Sequence, residues 1–401
     1  MMNEPIAPPT LWPLDPQVTF LNHGSFGSCP RAVLEFQRQL RDRLERQPVR
    51  FFVRDLEGLL DDARASLAAF VGADAEDLVF VSNATSGVNA VLRSMSFAPG
   101  EELLVTNHEY NACRNALNYV AERSGAKIVV AHVPFPVRSA DEIVQCVLAA
   151  VTARTRLALL DHVTSQTGLL LPLARLVRAL AERGVDTLVD GAHAPGMVPL
   201  NLRDMGAAYY TGNCHKWLCA PKGAGFLHVR RDRQPAIRPL VVSHGANTTR
   251  TDRSRFLIEF GWTGTTDPTA DLAVPNAIEF IGSLLPGGWP EVMRRNRELA
   301  LAGRQHLCAA LNLPPPCPAE LIGSLASLPI PDSADSRPTN NPLYLDPLQD
   351  RLLEEHGIEV PVIPWPAPPK RLLRISAQLY NSLPQYERLA EALKAELPLL
   401  R

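Results

Sequence analysis

Five short apolar runs, each separated from the next by a helix-length stretch, constrain this chain more than any other feature. DLVFVS (77–82), ELLVT (102–106), KIVVAHV (127–133), RLALLDHV (156–163) and VDTLVD (185–190) are continuous and β-rich rather than alternating. Strands of that kind are buried on both faces, and when they alternate with helices they run parallel through crossovers. The sequence therefore predicts an α/β protein with a mostly parallel, doubly covered sheet. Segments 141–151 and 172–183 supply connecting helices. Leu56, Leu59, Leu60, Ala63, Leu67 and Phe70 mark an amphipathic helix ahead of the first strand. Ligands of such sheets sit beyond the carboxyl ends of the strands, so the polar residues there matter most.

After about residue 270 the pattern changes. A helix around 275–285 and the long amphipathic segment GGWPEVMRRNRELALAGRQHLCAAL lead into a Pro-rich stretch with strands near 323–330, 342–345 and 371–376. A helix over 384–398 closes the chain. The expected organisation is a large domain over 18–275 and a smaller α+β domain over 276–401, packed with an N-terminal arm (1–17). A chain of 401 residues is long enough for both. The 36 prolines cluster in the connections of the second domain and at the N-terminus.

Composition removes several classes. A net charge of −2 leaves no electrostatic footprint for nucleic acid or an anionic membrane. Segment 31–54 is locally basic, but its acids stand at helical spacings from its arginines, which reads as a solvated helix face. No run approaches the ~20 apolar residues of a membrane span, and MMNEPIAPPTLWPLDP lacks the basic start of a signal peptide. Seven scattered cysteines without a CxxC pair fit free thiols in a reducing compartment, with no disulfide framework or metal site. The expectation is a cytoplasmic protein.

The polar residues then ask for an explanation. TGNCHKW (211–217) places Lys216 at the end of an apolar run, in a chain whose 40 Lys and Arg include only five lysines. A lysine kept in such a setting offers amine chemistry that arginine lacks. LVDGAHAPG (188–196) ends another buried strand with Asp190, followed by His193. SNATSG (82–87) joins a strand to a helix, and its small residues and free N–H groups suit a phosphate. An amine for a Schiff base, an acid for a ring nitrogen and an anion nest together are what a pyridoxal 5′-phosphate enzyme needs.

The strand–Asp-x-x-His unit, with His-Lys about 25 residues later, resembles the class V aminotransferase and cysteine desulfurase superfamily of fold-type I pyridoxal phosphate enzymes. LNHGSFGSCPRAV (21–33), NHEYNA (107–112), VDGAHAPG, GNCHKWLCAPKGAGFLH, WTGTTDPTA (262–270) and LRISAQLYN (373–381) are similar to the isopenicillin N epimerase-like group, which includes related C–S lyases. The resemblance runs from about residue 18 to 398 and makes the large domain the cofactor-binding one. It implies that Lys216 carries the cofactor and serves as acid and base at the substrate Cα. Asp190 would pair with the pyridine nitrogen and His193 would approach the phenolic oxygen. Thr85, Ser86, Asn213 and His215 would hold the phosphate. Thr265 would reach the cofactor of a neighbouring subunit, which implies a homodimer with shared sites. Asn111 or Tyr110 would lie over the ring. Arg374 would bind the carboxylate of an amino-acid-like substrate, with Asn22 and His23 nearby.

Bland alternatives stand beside these roles. His215 could satisfy a core hydrogen bond, Arg374 could pair with a structural acid, Tyr110 and Trp262 could be packing residues, and Lys222 fits a turn. The reaction also stays open. Returning the Cα proton to the other face gives an epimerase, expelling a β-substituent a lyase, and protonating the cofactor carbon a transaminase. An epimerase needs a second acid, for which Tyr110, Cys214 and His23 are chemically capable. A desulfurase needs a thiol on a flexible loop, whereas Cys308 sits in a helix and Cys317 beside prolines. A non-catalytic cofactor-binding protein would not need Asp190 and Arg374. The wording of the blocks favours an epimerase-like enzyme, with a C–S lyase as the alternative. Specificity is expected in 22–26, 243–263 and 361–370, where Arg250, Arg253 and Arg255 either receive a distal carboxylate or are solvated.

Overall fold

The computed structural model describes residues 2–333 and 346–400. In chain order its strands are β1 (Thr19–Phe20), β2 (Leu78–Val81), β3 (Glu102–Thr106), β4 (Lys127–Ala131), β5 (Thr155–Asp161), β6 (Asp186–Gly191), β7 (Tyr209–Asn213), β8 (Gly225–Val229), β9 (Leu325–Ile330), β10 (Ile358–Glu359), β11 (Val362–Pro364) and β12 (Arg371–Ser376). Seven of them form one sheet in the order β2-β8-β7-β6-β5-β3-β4. Only β8 runs antiparallel to its neighbours. The predicted mostly parallel sheet is present.

Why these runs are continuous rather than alternating is visible in the core. Leu104, Ala158, Leu160 and Val189 point into the layer that holds the helices Leu56–Val71, Ala140–Ala149 and Leu173–Ala181. Their neighbours Leu103, Val105, Leu157, Leu159 and Leu188 point into the opposite layer, against the helices Ala84–Ser94 and Asn111–Ser124. Successive side chains alternate between two dry faces. Each fully buried aliphatic side chain contributes roughly 1.5–3 kcal/mol, so a charge placed within these strands would disrupt the sheet. Charges appear only at the strand ends.

The later part of the chain builds the antiparallel sheet β11-β12-β9. The helices Gly288–Ala310 and Leu383–Glu396 pack together there. The N-terminal arm is tied to this unit. Ile6 and Ala7 N–H donate to Leu379 O, Leu383 N–H donates to Met2 O, and the Trp12 ring lies 5.0 Å from that of Tyr380. β1 pairs with β10, and Leu21 O accepts from Ser376 N–H. These bonds bring Asn22 and Ser25 beside β12, which carries Arg374.

The sequence did not anticipate every element. The short strand β11 in the Pro-rich connection was not expected, because prolines hide strand patterning; Pro364 closes it at its end. The strand expected near 342–345 lies outside the described residues. Among the described residues no helix is long and apolar enough to cross a membrane. The arginines of segment 31–54 are partly taken up on the surface, Arg41 by Asp267 and Arg43 by Asp55.

Candidate active site

Strands β5, β6 and β7 end side by side, and the cluster of polar residues lies at their carboxyl ends. After β7 the chain turns through His215 and Lys216 before returning as β8. The turn is held by Cys214 N–H on Ala224 O, Cys219 N–H on Lys216 O and Ala220 N–H on Cys214 O. From the other side the N-terminal segment presses against it. A Cβ on Gly27, which has φ +68°, would stand 2.1 Å from His215 O, so only glycine fits there.

Lys216 Nζ lies 3.2 Å from His193 Nε2. Burial, and secondarily the Arg374 guanidinium, push the amine pKa down to about 7. The opposing pull of Asp190 is weaker. His193 is buried and held well below its usual range by burial and by the adjacent Lys216, so it faces the amine as a neutral ring. At neutral pH the site therefore offers an amine with a substantial unprotonated fraction.

Asp190 closes β6, and its carboxylate accepts from Ala192 N–H at 2.9 Å and from the Cys113 thiol at 3.0 Å. The helix Ala84–Ser94 starts at the same edge. Asn83 caps it, accepting from Ser86 N–H at 2.9 Å, and Ser86 Oγ lies 2.8 Å from Ser82 Oγ. The helix packs closely on β7: a Cβ on Gly87 would stand 2.1 Å from Thr211 Oγ1. Asn213 Oδ1 accepts from Ala84 N–H at 2.8 Å, so this residue pins the helix start to the sheet.

Arg374 stands opposite, buried to 3% exposure. Its Nη1 donates to Ser165 O at 2.6 Å and its Nη2 to Ser25 Oγ at 2.7 Å, with Asn22 Oδ1 at 3.5 Å. Its Nε is buried without a partner, and among the described residues no carboxylate forms an ion pair with it. Burial lowers its pKa to about 10. A desolvated guanidinium without an acid is unfavourable unless an anion arrives. A structural acid for Arg374, the alternative the sequence left open, is absent among the described residues.

Other candidates are placed as follows. Thr85 is part-buried in the first turn of the Ala84–Ser94 helix. His215 has a buried Nδ1 without a partner, and burial lowers its pKa to about 4. Tyr110 and Asn111 are exposed at the start of the Asn111–Ser124 helix, and the Tyr110 phenol bears electrostatically on Arg374. Thr265 is exposed on a loop that shares a cleft with Ser82 and Ser86. His23, expected near the substrate, is instead taken up beneath the lysine. Its Nδ1 meets Tyr380 OH at 2.8 Å, its Nε2 meets Lys216 O at 3.1 Å, and its ring packs on Trp217. Burial pulls its pKa down to about 3, which marks a brace rather than an acid.

Three further corrections concern specificity and the second acid. Arg250 pairs with Glu57 and Asp252, Arg253 with Asp61, and Arg255 with Glu259, so none waits for a distal carboxylate. Cys214 is fully buried and its thiol pKa is pushed well up by burial, so it is not a proton donor to a substrate. Ser25, Ser165, Glu109 and Asp161 join the site although sequence reading did not select them. The polar run DHVTSQTG after β5, and the quoted block NHEYNA, contained the signal.

The residues fit pyridoxal 5′-phosphate on observations of this chain alone. Lys216 supplies an amine of lowered pKa, and Asp190 a buried acid. The Thr85 and Ser86 hydroxyls at the helix start and His215 Nδ1 supply donors for a phosphate, while the Ala84 and Ser86 N–H groups are already taken by Asn213 and Asn83. His193 Nδ1 is a second buried polar atom left without a partner.

A family model described as aminotransferase class-V matches residues 33–299. An isopenicillin N epimerase of Amycolatopsis lactamdurans is 39% identical over 395 residues, covering 95% of this chain and 96% of that one. A protein named "Probable L-cysteine desulfhydrase, chloroplastic" from Arabidopsis thaliana is 31% identical over 400 residues, covering 94% of this chain and 83% of that one. The cysteine desulfurase CsdA of Escherichia coli superposes with a TM-score of 0.76 at 21% identity, covering 98% of each chain. At that identity the likeness is one of fold.

Proposed function

From the premise that this chain belongs to the class-V aminotransferase family and is a pyridoxal 5′-phosphate-dependent enzyme, we propose that it inverts the Cα configuration of an amino-acid-derived substrate, as an isopenicillin N epimerase-like enzyme. The observation that carries a Cα-directed reading is the unpaired, buried Arg374 on the rim of the Lys216 cluster. A substrate carboxylate on Arg374 would fix the α-carbon within the same pocket as the amine. The identity to the Amycolatopsis epimerase over nearly the whole chain favours inversion over elimination.

When bound, the cofactor supplies an electron sink that makes a Cα proton labile. The protein's own residues do the rest. Lys216 Nζ, with a pKa near 7, takes the proton from one face and returns it. His193 Nε2 holds the amine at 3.2 Å and stays neutral. Asp190 would present its carboxyl to the ring nitrogen. Thr85 and Ser86 at the start of the Ala84–Ser94 helix, with His215, would receive the phosphate. Tyr110 or Asn111 would cover the ring from the solvent side.

With His23 serving as a brace and Cys214 sealed in the core, Tyr110 is the acid left for the opposite face. Its phenol stands near enough to Arg374 to act on the guanidinium charge. Tyr110→Phe should lower inversion of isopenicillin N by about 10²-fold while Lys216 still exchanges the proton on its own face. Chiral analysis of product alongside deuterium uptake separates the two. A variant that inverts at the wild-type rate removes Tyr110 from the mechanism.

The desulfhydrase relative supports a second outcome, β-elimination of sulfide from L-cysteine, with water then converting the remaining fragment to pyruvate and ammonia. Accumulation of those products, with no opposite enantiomer from any amino acid or from isopenicillin N, would replace the epimerase reading with a lyase. The persulfide route has less support. Cys308 and Cys317 are both buried, and burial raises both thiols.

The expected homodimer belongs to the same proposal. Val241 and Val242 are 55% and 69% exposed beside the cleft bordered by the Thr265 loop, and Val53 is 76% exposed nearby. A second copy covering these residues would deliver Thr265 to the partner's phosphate site. Sedimentation should give a dimer, with Val242→Glu shifting it to monomer and weakening cofactor retention. A wild-type monomer that holds cofactor fully would contradict the shared site.

A further inference from the structure

Behind Asp190 lies a group of acids that the mechanism above does not use. Asp161 and Asp190 are register partners at the ends of the adjacent parallel strands β5 and β6. Glu109, from the turn after β3, joins them. One side-chain atom each of Glu109, Cys113 and Asp190 lie within 4.8 Å of one another, and Glu109 and Asp161 lean on each other. Glu109 is 7% exposed and Asp161 2%. Among the described residues neither Glu109 oxygen nor Asp161 Oδ2 makes a well-formed hydrogen bond; the groups that bear on them are the Tyr110 backbone N–H and the carboxyl of the other member of the pair.

Three buried carboxylates at this spacing cannot all be charged. The groups facing them are Cys113 from the Asn111–Ser124 helix, Tyr210 from β7 and the backbone of Tyr110. Tyr210 OH is engaged by His162 Nδ1 at 2.9 Å. Among the described residues no cation forms an ion pair with Glu109 or Asp161, and Lys216 bears on Asp190 but not on the other two. Asp190 is also the member with donors, Ala192 N–H and the Cys113 thiol. Burial and mutual repulsion hold both Glu109 and Asp161 well above the usual carboxylate range.

We propose that Glu109 and Asp161 are positioning residues, a neutral carboxylic-acid pair that backs Asp190 and holds its carboxyl at the ring-nitrogen position. The part played toward the cofactor rests on the reading above; the charge state of the pair does not. A proton on each acid makes the pair neutral and lets the two carboxyl groups hydrogen-bond to each other, each hydroxyl donating to the other's carbonyl oxygen.

The test begins with the cofactor-free protein. Infrared difference spectra of wild type against Glu109→Gln and against Asp161→Asn at pH 7 should each lose a carbonyl stretch of a protonated carboxylic acid. The pH dependence of unfolding gives a second reading. A carboxyl whose pKa is raised on folding holds a proton that the unfolded chain releases, so its contribution to stability falls as pH rises from about 4.3 upward. The unfolding temperature of Glu109→Gln relative to wild type should therefore climb between pH 5 and 8.

Cofactor affinity then tests the positioning role. Glu109→Ala should loosen the cofactor by about tenfold, with Glu109→Gln restoring it. If Glu109→Ala does not fold, Asp161→Ala against Asp161→Asn makes the same comparison. Spectra without a lost acid band, a flat stability difference across pH, or one equivalent of a divalent metal removed by Glu109→Gln would overturn the neutral pair. Gln and Ala loosening the cofactor alike would overturn the positioning role. Loss of the cofactor reading with the acid band intact would leave the pair standing, so the two failures are distinguishable.

Discussion

Lys216→Ala should reduce turnover by about 10⁴-fold while leaving the fold intact. The side chain sits in a turn fixed by backbone bonds that do not involve its amine, so its removal leaves Cys219 N–H, Ala220 N–H and Cys214 N–H paired. What disappears is an amine whose pKa burial lowers to about 7, beside the neutral ring of His193. The same pKa sets a pH signature. The wild-type amine becomes a competent base as pH rises through about 7, and the alkaline shift that an exposed lysine near 10.4 would impose should be missing. Initial rates from pH 5.5 to 9 with intact-mass analysis of each variant check both statements. A Lys216→Ala enzyme with more than a few per cent of wild-type turnover would dismiss the lysine as the base.

Arg374→Gln should lower kcat/KM by about 10²–10³-fold, mostly through KM, since a buried ion pair is lost with one partner left behind. The guanidinium is held by Ser165 O, Ser25 Oγ and Asn22 Oδ1, so the site's shape is preset before any substrate arrives. Arg374→Lys should rescue little of it, because an ammonium cannot offer two parallel N–H donors to a carboxylate. Decarboxylated substrate analogues provide the control. They should be nearly indifferent to Arg374→Gln, and an equal penalty on them would make the residue structural.

Much of this site was legible in the sequence because its chemistry concentrates where strands end. Asp190, His193 and Lys216 each follow an apolar run that can only be a buried strand, so their location was fixed by the same pattern that predicted the sheet. Arg374 was legible as part of a block, but its lack of an acid partner was visible only once β12 lay beside Ser25 and Ser165. His23 misled because a histidine next to Asn22 reads as a ligand; the packing of Trp217 and Tyr380 that turns it into a brace is tertiary. For Arg250, Arg253 and Arg255 the structure decides between the two readings left open: Glu57 and Asp61 reach Arg250 and Arg253 from a distant helix that sequence spacing does not reveal, whereas Glu259 stands at the i,i+4 spacing from Arg255 that the sequence did offer. Glu109 and Asp161 were hidden because a carboxyl at a strand end or turn looks like a cap. Only their shared burial with Asp190 separates them from one.

Deuterium uptake at Cα tests the central claim most directly. The enzyme loaded with pyridoxal phosphate would be incubated in deuterated water with isopenicillin N, L- and D-amino acids and cysteine, and the products resolved by chiral separation and mass spectrometry. The account predicts one deuterium in an otherwise intact substrate, with the opposite configuration accumulating and no label taken up by Lys216→Ala. Label entering equally in Lys216→Ala, or no exchange into any substrate while cofactor is bound, would contradict it.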